Sequence, residues 1–379
     1  MPERRLCEMI HTYTVNVPDE GSARALAADL ARRGHRFVRV RATDDRHLVE
    51  SLVDEPAADS EWEWAQAEHE SVAVAALARQ HGGYHRGGMV SQRTTALETF
   101  GTDNVAHALD AAEAHDLRDH WIARLPTPVP APEPLDPLSL APCTAAHPPL
   151  FETLRAAAPA DSWWRSEAAD GFAEIPDVEL VFELYDAFMH QGTCYPHTAS
   201  EVPLLAALAA RDDVHPGLRA ILVDFLFLAA TVGCRLAAAD ADRRDSLGLP
   251  HDEDAGEVAA REAVEACAPA LFDRWDHECE AVRFSLALLA AACPDETAPV
   301  AEIRAWADAE GDSPRAGILR LTVALADDDP AFTDLLARLV AAGYAGSAPA
   351  PAASSRGTAF SVLEEWAEQE LSAVLEDVG

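Results

Sequence analysis

From Val178 to Gly233 the chain reads VELVFELYDAFMHQGTCYPHTASEVPLLAALAARDDVHPGLRAILVDFLFLAATVG, three apolar helices separated by two loops of turn residues. Val202, Leu205, Leu208 and Ala209 recur at intervals of three and four, and so do Leu218, Ile221, Leu222, Phe225 and Leu228. Side chains at that spacing share one face of an α-helix and must bury it against a neighbour. The stretch therefore predicts an antiparallel helix pair with a third helix behind it, and the chain after residue 170 is organised around it.

The pattern returns further on. Ile221–Ala230 (ILVDFLFLAA), Val282–Ala291 (VRFSLALLAA) and Ile318–Asp327 (ILRLTVALAD) align without gaps, with starts 61 and 36 residues apart. The shorter interval is a helix-pair repeat length, and the longer approaches it once a polar, acidic insertion over about Asp240 to Gly256 is set aside. Further helices are expected over Ala298 to Glu310, Pro330 to Ala342 and Thr358 to Asp377. Helix pairs that cannot bury their apolar faces alone stack into an α-solenoid. The tract His190-Gln191-Gly192-Thr193, then Tyr195-Pro196, then Glu201-Val202-Pro203-Leu204-Leu205 is similar to bacterial HEAT-repeat proteins. That resemblance implies a protein-binding scaffold over about Asp177 to Ala342 and brings no catalytic residues.

Between Pro126 and Pro149 stand nine prolines, a run that cannot enter a helix or sheet interior and favours extended chain. It reads as a linker, with a ligand for a proline-binding module as the other use of such a run. A helix capped by Asp103 and running to about Arg124, with Val105, Leu109, Leu117 and Trp121 for burial, is expected before it. The resulting division is a first domain over 1–90, a bridge over 91–149 and a helical domain over 150–379.

In the first domain, Tyr13, Val15 and Val17 alternate with Thr12, Thr14 and Asn16, the period of a strand buried on one face. Ala23, Leu26, Ala27 and Leu30 form a helical stripe ending at Gly34. Two more strands follow, His35 to Ala42 with Val38 and Val40 inward and Phe37, Arg39 and Arg41 outward, and then Leu48 to Val53. A second helix, about Glu61 to His81, carries Trp62, Val72, Ala76 and Leu77 and stops at Gly82-Gly83. The order βαββα suits a small antiparallel sheet with helices on one face, a ferredoxin-like unit. The whole chain is thus expected to be α+β, a ferredoxin-like head followed by a mainly α, HEAT-like solenoid.

The run HTYTVNVPDEGSARALAADLARRGHRFVRV, with the later helix VAVAALARQHGGYHRGG, resembles the regulator-of-ribonuclease-E-activity-B family over roughly residues 10 to 88. Strand and helix order, the Gly34 turn and the Gly-Gly-Tyr ending carry the resemblance; where the family continues with Asp-Gly-Trp, this chain has Tyr84-His85-Arg86-Gly87. It implies a small cytoplasmic protein that binds and inhibits a ribonuclease.

Charge narrows the partners. The net charge is −36, with 11 Arg against 15 acidic residues over 1–90 and 18 Arg against 50 in the remainder. Most of such a surface repels a phosphate backbone, so direct nucleic-acid binding is not expected and a basic protein is. Arginines 32, 33, 36, 39, 41 and 46 form the one basic island, where Arg36, Phe37, Arg39 and Arg41, with Tyr84 and Arg86 as further candidates, could dock an acidic protein segment or RNA. The plainer reading is a solvated sheet face paired with the chain's own acids.

Lysine is absent, and all 29 cations are arginine, which excludes Schiff-base chemistry and a P-loop lysine. Seven cysteines without a C-x-x-C pair point to reduced thiols. The N-terminal segment has no leader-length apolar core and the run around Ile221 to Cys234 is expected to be too short to span a membrane, so a cytoplasmic protein is expected. His190, Cys194 and His197 are the nearest thing to a metal cluster but lack a fourth ligand at zinc-site spacing. His277 and Cys279 point to different sides of a helix. Asp240, Asp242, Asp245 and His251 to Asp254 read as an exposed acidic insertion. Trp62, Trp64, Trp163 and Trp164 read as packing residues.

No G-x-S-x-G or H-E-x-x-H pattern is present. The expectation is a non-catalytic adaptor or inhibitor without cofactor, reaching a ribonuclease or other basic protein through its head, with His190 and Tyr195 as candidate contacts on the helical domain. The alternatives are an immunity-type or scaffold protein that binds through the helices, and an enzyme with residues gathered from both domains.

Overall fold

The computed structural model describes residues 9–42, 46–54, 61–92, 105–108, 136–141, 147–159, 172, 175–190, 193–239, 241, 253–341, 356–376 and 378. The chain is α+β, mostly helical with a small antiparallel sheet near its N-terminus. It divides into two compact units, one within residues 1–131 and one carrying the described elements from residue 136 onward.

In the first unit the elements are β1 (Met9–Val17), α1 (Glu20–Arg33), β2 (Arg36–Ala42), β3 (His47–Asp54), α2 (Glu61–Gln80), β4 (Tyr84–Gln92) and β5 (Val105–Ala108). The sheet order is β4-β1-β3-β2-β5, every neighbouring pair antiparallel. Asp19 caps α1 by accepting from the Ser22 N–H at 2.8 Å. Gly34 ends it at φ 103°, a left-handed conformation open to glycine. Tyr13, Val15, Val17, Val38, Val40 and Val49 meet Leu26, Leu30, Val74 and Ala78 in one core.

Three expectations change here. Val105–Ala108 is a strand beside β2, and the rest of the helix expected over 103–124 lies outside the described residues. Gly82-Gly83 does stop α2, but Tyr84 to Gly88 belong to β4 and pair with β1. Among the described side chains of α2, which begin at Glu70, the buried ones are Glu70, Val74 and Ala78, with Val72, Ala76 and Leu77 only partly covered. A glutamate in the stripe hid the true face from hydrophobic periodicity.

In the second unit α3 (Leu150–Ala157) and α4 (Asp177–Phe188) lead to a two-stranded turn, β6 (Met189–His190) with β7 (Thr193–Cys194). There follow α5 (Thr198–Ala209), α6 (Pro216–Ala239), α7 (Ala255–Phe272), α8 (Glu280–Ala292), α9 (Val300–Ala309), α10 (Pro314–Ala326), α11 (Phe332–Ala341) and α12 (Arg356–Glu376). The three self-similar segments are the cores of α6, α8 and α10, which pack side by side, α6 on α8 and α8 on α10. Helix α12 comes from the end of the chain to lie along α6 and also touches α8 and α10.

Helix α7 starts inside the region expected to be an insertion; Asp254 and Glu257 form a capping box at its N-terminus. Residues Pro216 to Gly233 of α6 are buried without interruption. At 24 residues α6 is long and apolar enough to cross a membrane, which corrects the expectation that it is too short; here α4, α5, α7, α8 and α12 pack against it.

Buried charges tie the helices together. Arg219 on α6 donates through Nε to the Ala209 carbonyl at 2.8 Å, closing the end of α5, and pairs with Glu278, which also accepts from Arg274 at 2.7 Å. Arg315 on α10 meets Glu370 on α12 at 2.8 Å. A β-carbon at Gly357 would sit 2.1 Å from the Cys234 carbonyl oxygen, so the α6–α12 seam depends on a missing side chain there.

Candidate functional site

Two residues of the expected basic surface of the head, Arg39 and Tyr84, are internal. Arg39 is 2% exposed, with Nε donating to Glu50 Oε2 at 2.7 Å, so it does not stand outward as alternation predicts. Its partner sits on the neighbouring strand at the paired position, Arg39 opposite Glu50, a relation that the spacing within one strand cannot reveal. Arg41, half-buried, is 3.7 Å from the same carboxylate. Arg33 is held by Glu70 and Arg32 by Asp29. Tyr84 is buried as well, its hydroxyl accepting from Asn16 Nδ2 at 2.7 Å. Arg86 is exposed. The side chains of Arg36 and Phe37 lie outside the described residues. Within the island Arg33 and Arg39 are thus held in ion pairs inside the unit, while Arg32 and Arg41 pair with acids at the surface.

The same unit holds an arrangement that imitates a catalytic triad. His35 Nδ1 is 2.8 Å from Ser51 Oγ and its Nε2 is 2.8 Å from Glu70 Oε1. A hydroxyl, an imidazole and an orienting carboxylate in that order are the parts of a nucleophile and its base. His35 and Ser51 are completely buried, and Glu70 is already engaged by Arg33. Without access no substrate carbonyl can reach Ser51, and the network fastens β3, the α1 end and α2 together. His85, beside the Tyr13 ring at 5.9 Å, is driven down to about 4 by burial.

After β7, His197 has internal partners. His197 Nε2 is 3.0 Å from the Ala187 carbonyl, and its ring stacks on Tyr195 at 5.2 Å with 13° between planes. Burial pushes the Cys194 thiol up to about 11, the opposite of an activated nucleophile. The His190 side chain lies outside the described residues, as do Asp240, Asp242, Asp245, His251, Asp252, Trp163 and Trp164 and the side chains of Trp62 and Trp64. Among the described residues no group of three or more His, Cys, Asp or Glu is placed to hold a metal.

What the second unit does offer is a cleft of about 370 Å³ between α4, α6 and α12. Helix α6 contributes Ile221, Asp224, Phe225 and Leu228, residues at i, i+3, i+4 and i+7 and hence one stripe. Helix α12 contributes Glu364, Glu368, Leu371, Ser372 and Leu375, and α4 contributes Phe182 and Tyr185. Phe182 is 49% exposed, an aromatic left in water at the rim. Tyr185 and Phe225 pack ring to ring at 4.9 Å.

Asp224 is the anomaly in this apolar lining. It is 9% exposed, and its Oδ1 has no hydrogen-bond partner. Burial, reinforced by the nearby carboxylates of Glu364 and Glu368 and opposed by Arg235, pushes its carboxyl up to about 7. Arg235 does not bond it: that guanidinium reaches Thr231 Oγ1 at 3.1 Å, the Leu228 carbonyl at 3.3 Å and the Glu364 carboxylate. A carboxyl in the lining of a cleft, with one buried oxygen that no protein donor satisfies, is a group a ligand could complete.

Sequence reasoning passed over this residue. The signal was present: Asp224 is the one charge between Arg219 and Arg235, and at the equivalent place the repeats carry Ser285 and Leu321. An ionisable residue where the repeats carry Ser and Leu marks a position that packing does not explain.

Comparison of the chain with protein-family models, with curated proteins and with solved structures found no match in any of the three.

Proposed function

We propose that the protein is a non-catalytic binding protein whose helical unit makes the contact, taking a cation-bearing partner at the cleft between α4, α6 and α12. The observation that carries this reading is the Asp224 carboxyl, which belongs to the lining of an apolar cleft and whose buried Oδ1 has no hydrogen-bond partner. Support comes from the exposed Phe182 at the rim and from the acidic character of the chain, with a net charge of −36, which steers a basic protein toward it. The one described constellation with catalytic parts, around His35, is sealed from solvent. The free state of Cys194, Cys234, Cys267, Cys279 and Cys293 fits a reducing compartment, and a cytoplasmic location is part of the proposal.

Within this reading the head is a ferredoxin-like unit, for which the β4-β1-β3-β2 order of its first four strands speaks. The helical unit is an elaborated HEAT-like array, for which the row α6, α8, α10 of self-similar helices speaks, with α12 laid across it. A second reading, in which the head binds and inhibits a ribonuclease, keeps the strand order and the exposed Arg86 in its favour. The pairing of Arg33 and Arg39 with the unit's own acids weighs against it.

The two readings separate in a capture experiment on nuclease-treated native cytoplasm using the full chain. Phe182→Ser with Glu368→Arg alters the cleft rim, and Arg41→Glu with Arg86→Glu alters the head. A partner lost with the first pair and retained with the second supports contact at the cleft. The reverse pattern assigns binding to the head and sinks the proposal.

A further inference from the structure

We propose that the cleft between α4, α6 and α12 is a site for a small organic monocation, an apolar body bearing one ammonium group, with Asp224 as its counter-ion. This rests on the reading above that the cleft takes a cation-bearing partner; it commits the occupant of the cleft to a small molecule, and a basic protein segment seated there is the competing outcome of the test below. The volume of about 370 Å³ lies at the small-molecule end of the range that ligand pockets occupy, roughly 300–1,000 Å³. Its walls are mainly Ile221, Phe225, Leu228, Leu371 and Leu375, which suit a ring or branched chain and offer little to a sugar or a phosphate.

The charged and titratable groups facing Asp224 decide the sign of the ligand. From α12 come Glu364 and Glu368, from α6 comes Arg235, and from α4 comes the Tyr185 phenol, held neutral because burial and Glu364 push it upward. Arg235 is matched by Glu364. That leaves Asp224 and the exposed Glu368 as uncompensated carboxyls, so an anion is repelled and a cation is drawn in. A divalent metal ion is a poor fit, because it needs several oxygen donors in a shell and apolar side chains form most of these walls. An ammonium donor fits, because one charge-assisted bond to Oδ1 supplies what that oxygen lacks.

Binding should be linked to protons. A bound cation favours the ionised carboxylate, so the site releases a proton on binding whenever Asp224 starts protonated, and affinity rises as pH rises through about 7.

The test is calorimetry on the full chain with 2-phenylethylamine, its neutral isostere 2-phenylethanol, and a basic amphipathic peptide. At about pH 8 the amine should bind at least about tenfold more tightly than the alcohol, the value of one charged hydrogen bond. That advantage should shrink at about pH 5.5, and near neutrality the heat should vary with buffer ionisation enthalpy. Asp224→Asn should erase the difference between amine and alcohol while leaving the alcohol unaffected. Leu228→Trp, which fills the cavity, should remove both. Equal binding of amine and alcohol, or an amine affinity untouched by Asp224→Asn, overturns the inference. Binding of the peptide alone, lost in Asp224→Asn, overturns the small-molecule occupant and leaves the cleft reading standing; failure of all three probes overturns both.

Discussion

A carboxylate buried in an apolar helix lowers stability unless something pairs with it, and Asp224 has an oxygen that nothing pairs. Its carboxyl titrates near 7 in the folded chain and at the ordinary 3.8 when unfolded. The native state therefore holds a proton that the unfolded state has released between those values, and stability from this group is full below about 4 and lost as pH rises to about 7. Asp224→Asn should stabilise the helical unit by roughly 2–4 kcal/mol at about pH 8, with no gain below about pH 4. Urea unfolding at the two extremes checks this, and a destabilised variant at high pH would contradict it. Arg219 and Glu278 behave oppositely, because each satisfies the other. Their side chains are 7% and 2% exposed, so Glu278→Ala leaves Arg219 buried and unpaired and should cost about 3–5 kcal/mol in the same assay.

At the scale of elements, the seam between α6 and α12 is set by glycine as much as by apolar burial. A β-carbon at Gly357 would meet the Cys234 carbonyl oxygen at 2.1 Å and the Ala238 side chain at 2.7 Å, and one at Gly217 would meet Val378 at 2.6 Å. The backbone atoms among these cannot step aside. Gly357→Ala should push α12 off α6, lowering stability by about 1–3 kcal/mol, and should alter the fluorescence of Trp366, which is buried on α12. An unchanged unfolding midpoint would mean that the seam is looser than its geometry. Apolar spacing alone located α6, α8, α10 and α12 because each carries long aliphatic residues at helical intervals. It missed α7, whose buried stripe is Ala260, Val264 and Ala268, small residues with little contrast to their surroundings, although Asp254 and Glu257 spelled its capping box. It also misplaced Arg39 and gave Glu70 no place, since a charge is admitted to an interior by a partner on another element. The lone charge at Asp224 could be read from the sequence, but the cleft could not: its walls come from residues as far apart as Phe182 and Leu375, and no local pattern joins them.

The whole molecule is two units with separate cores, and their buried titratable groups have opposite signs. In the head, burial lowers His11 and takes His85 down to about 4 from the ordinary 6.5. Below 6.5 the unfolded chain gains protons there that the native head refuses, so the head loses stability as pH falls from about 6.5 toward 4. Glu70 is also lowered: burial opposes its ionisation, but the His35 and Arg33 bonds outweigh that. Its contribution is present above its unfolded value of 4.5 and is lost as pH falls through its folded value. In the helical unit Asp224 works the other way, adding stability over the window from about 7 down to 4. Calorimetric scans of the full chain at about pH 7.5 and about pH 5 should therefore resolve two transitions whose separation changes on acidification, the head moving down relative to the helices. Asp224→Asn should remove the helical unit's share of that change and leave the head's. His85→Phe should do the converse, because a neutral ring in the same place has no proton to refuse. A single transition that shifts as one unit would show that the two cores melt together, and the opposed titrations would then cancel within one cooperative structure.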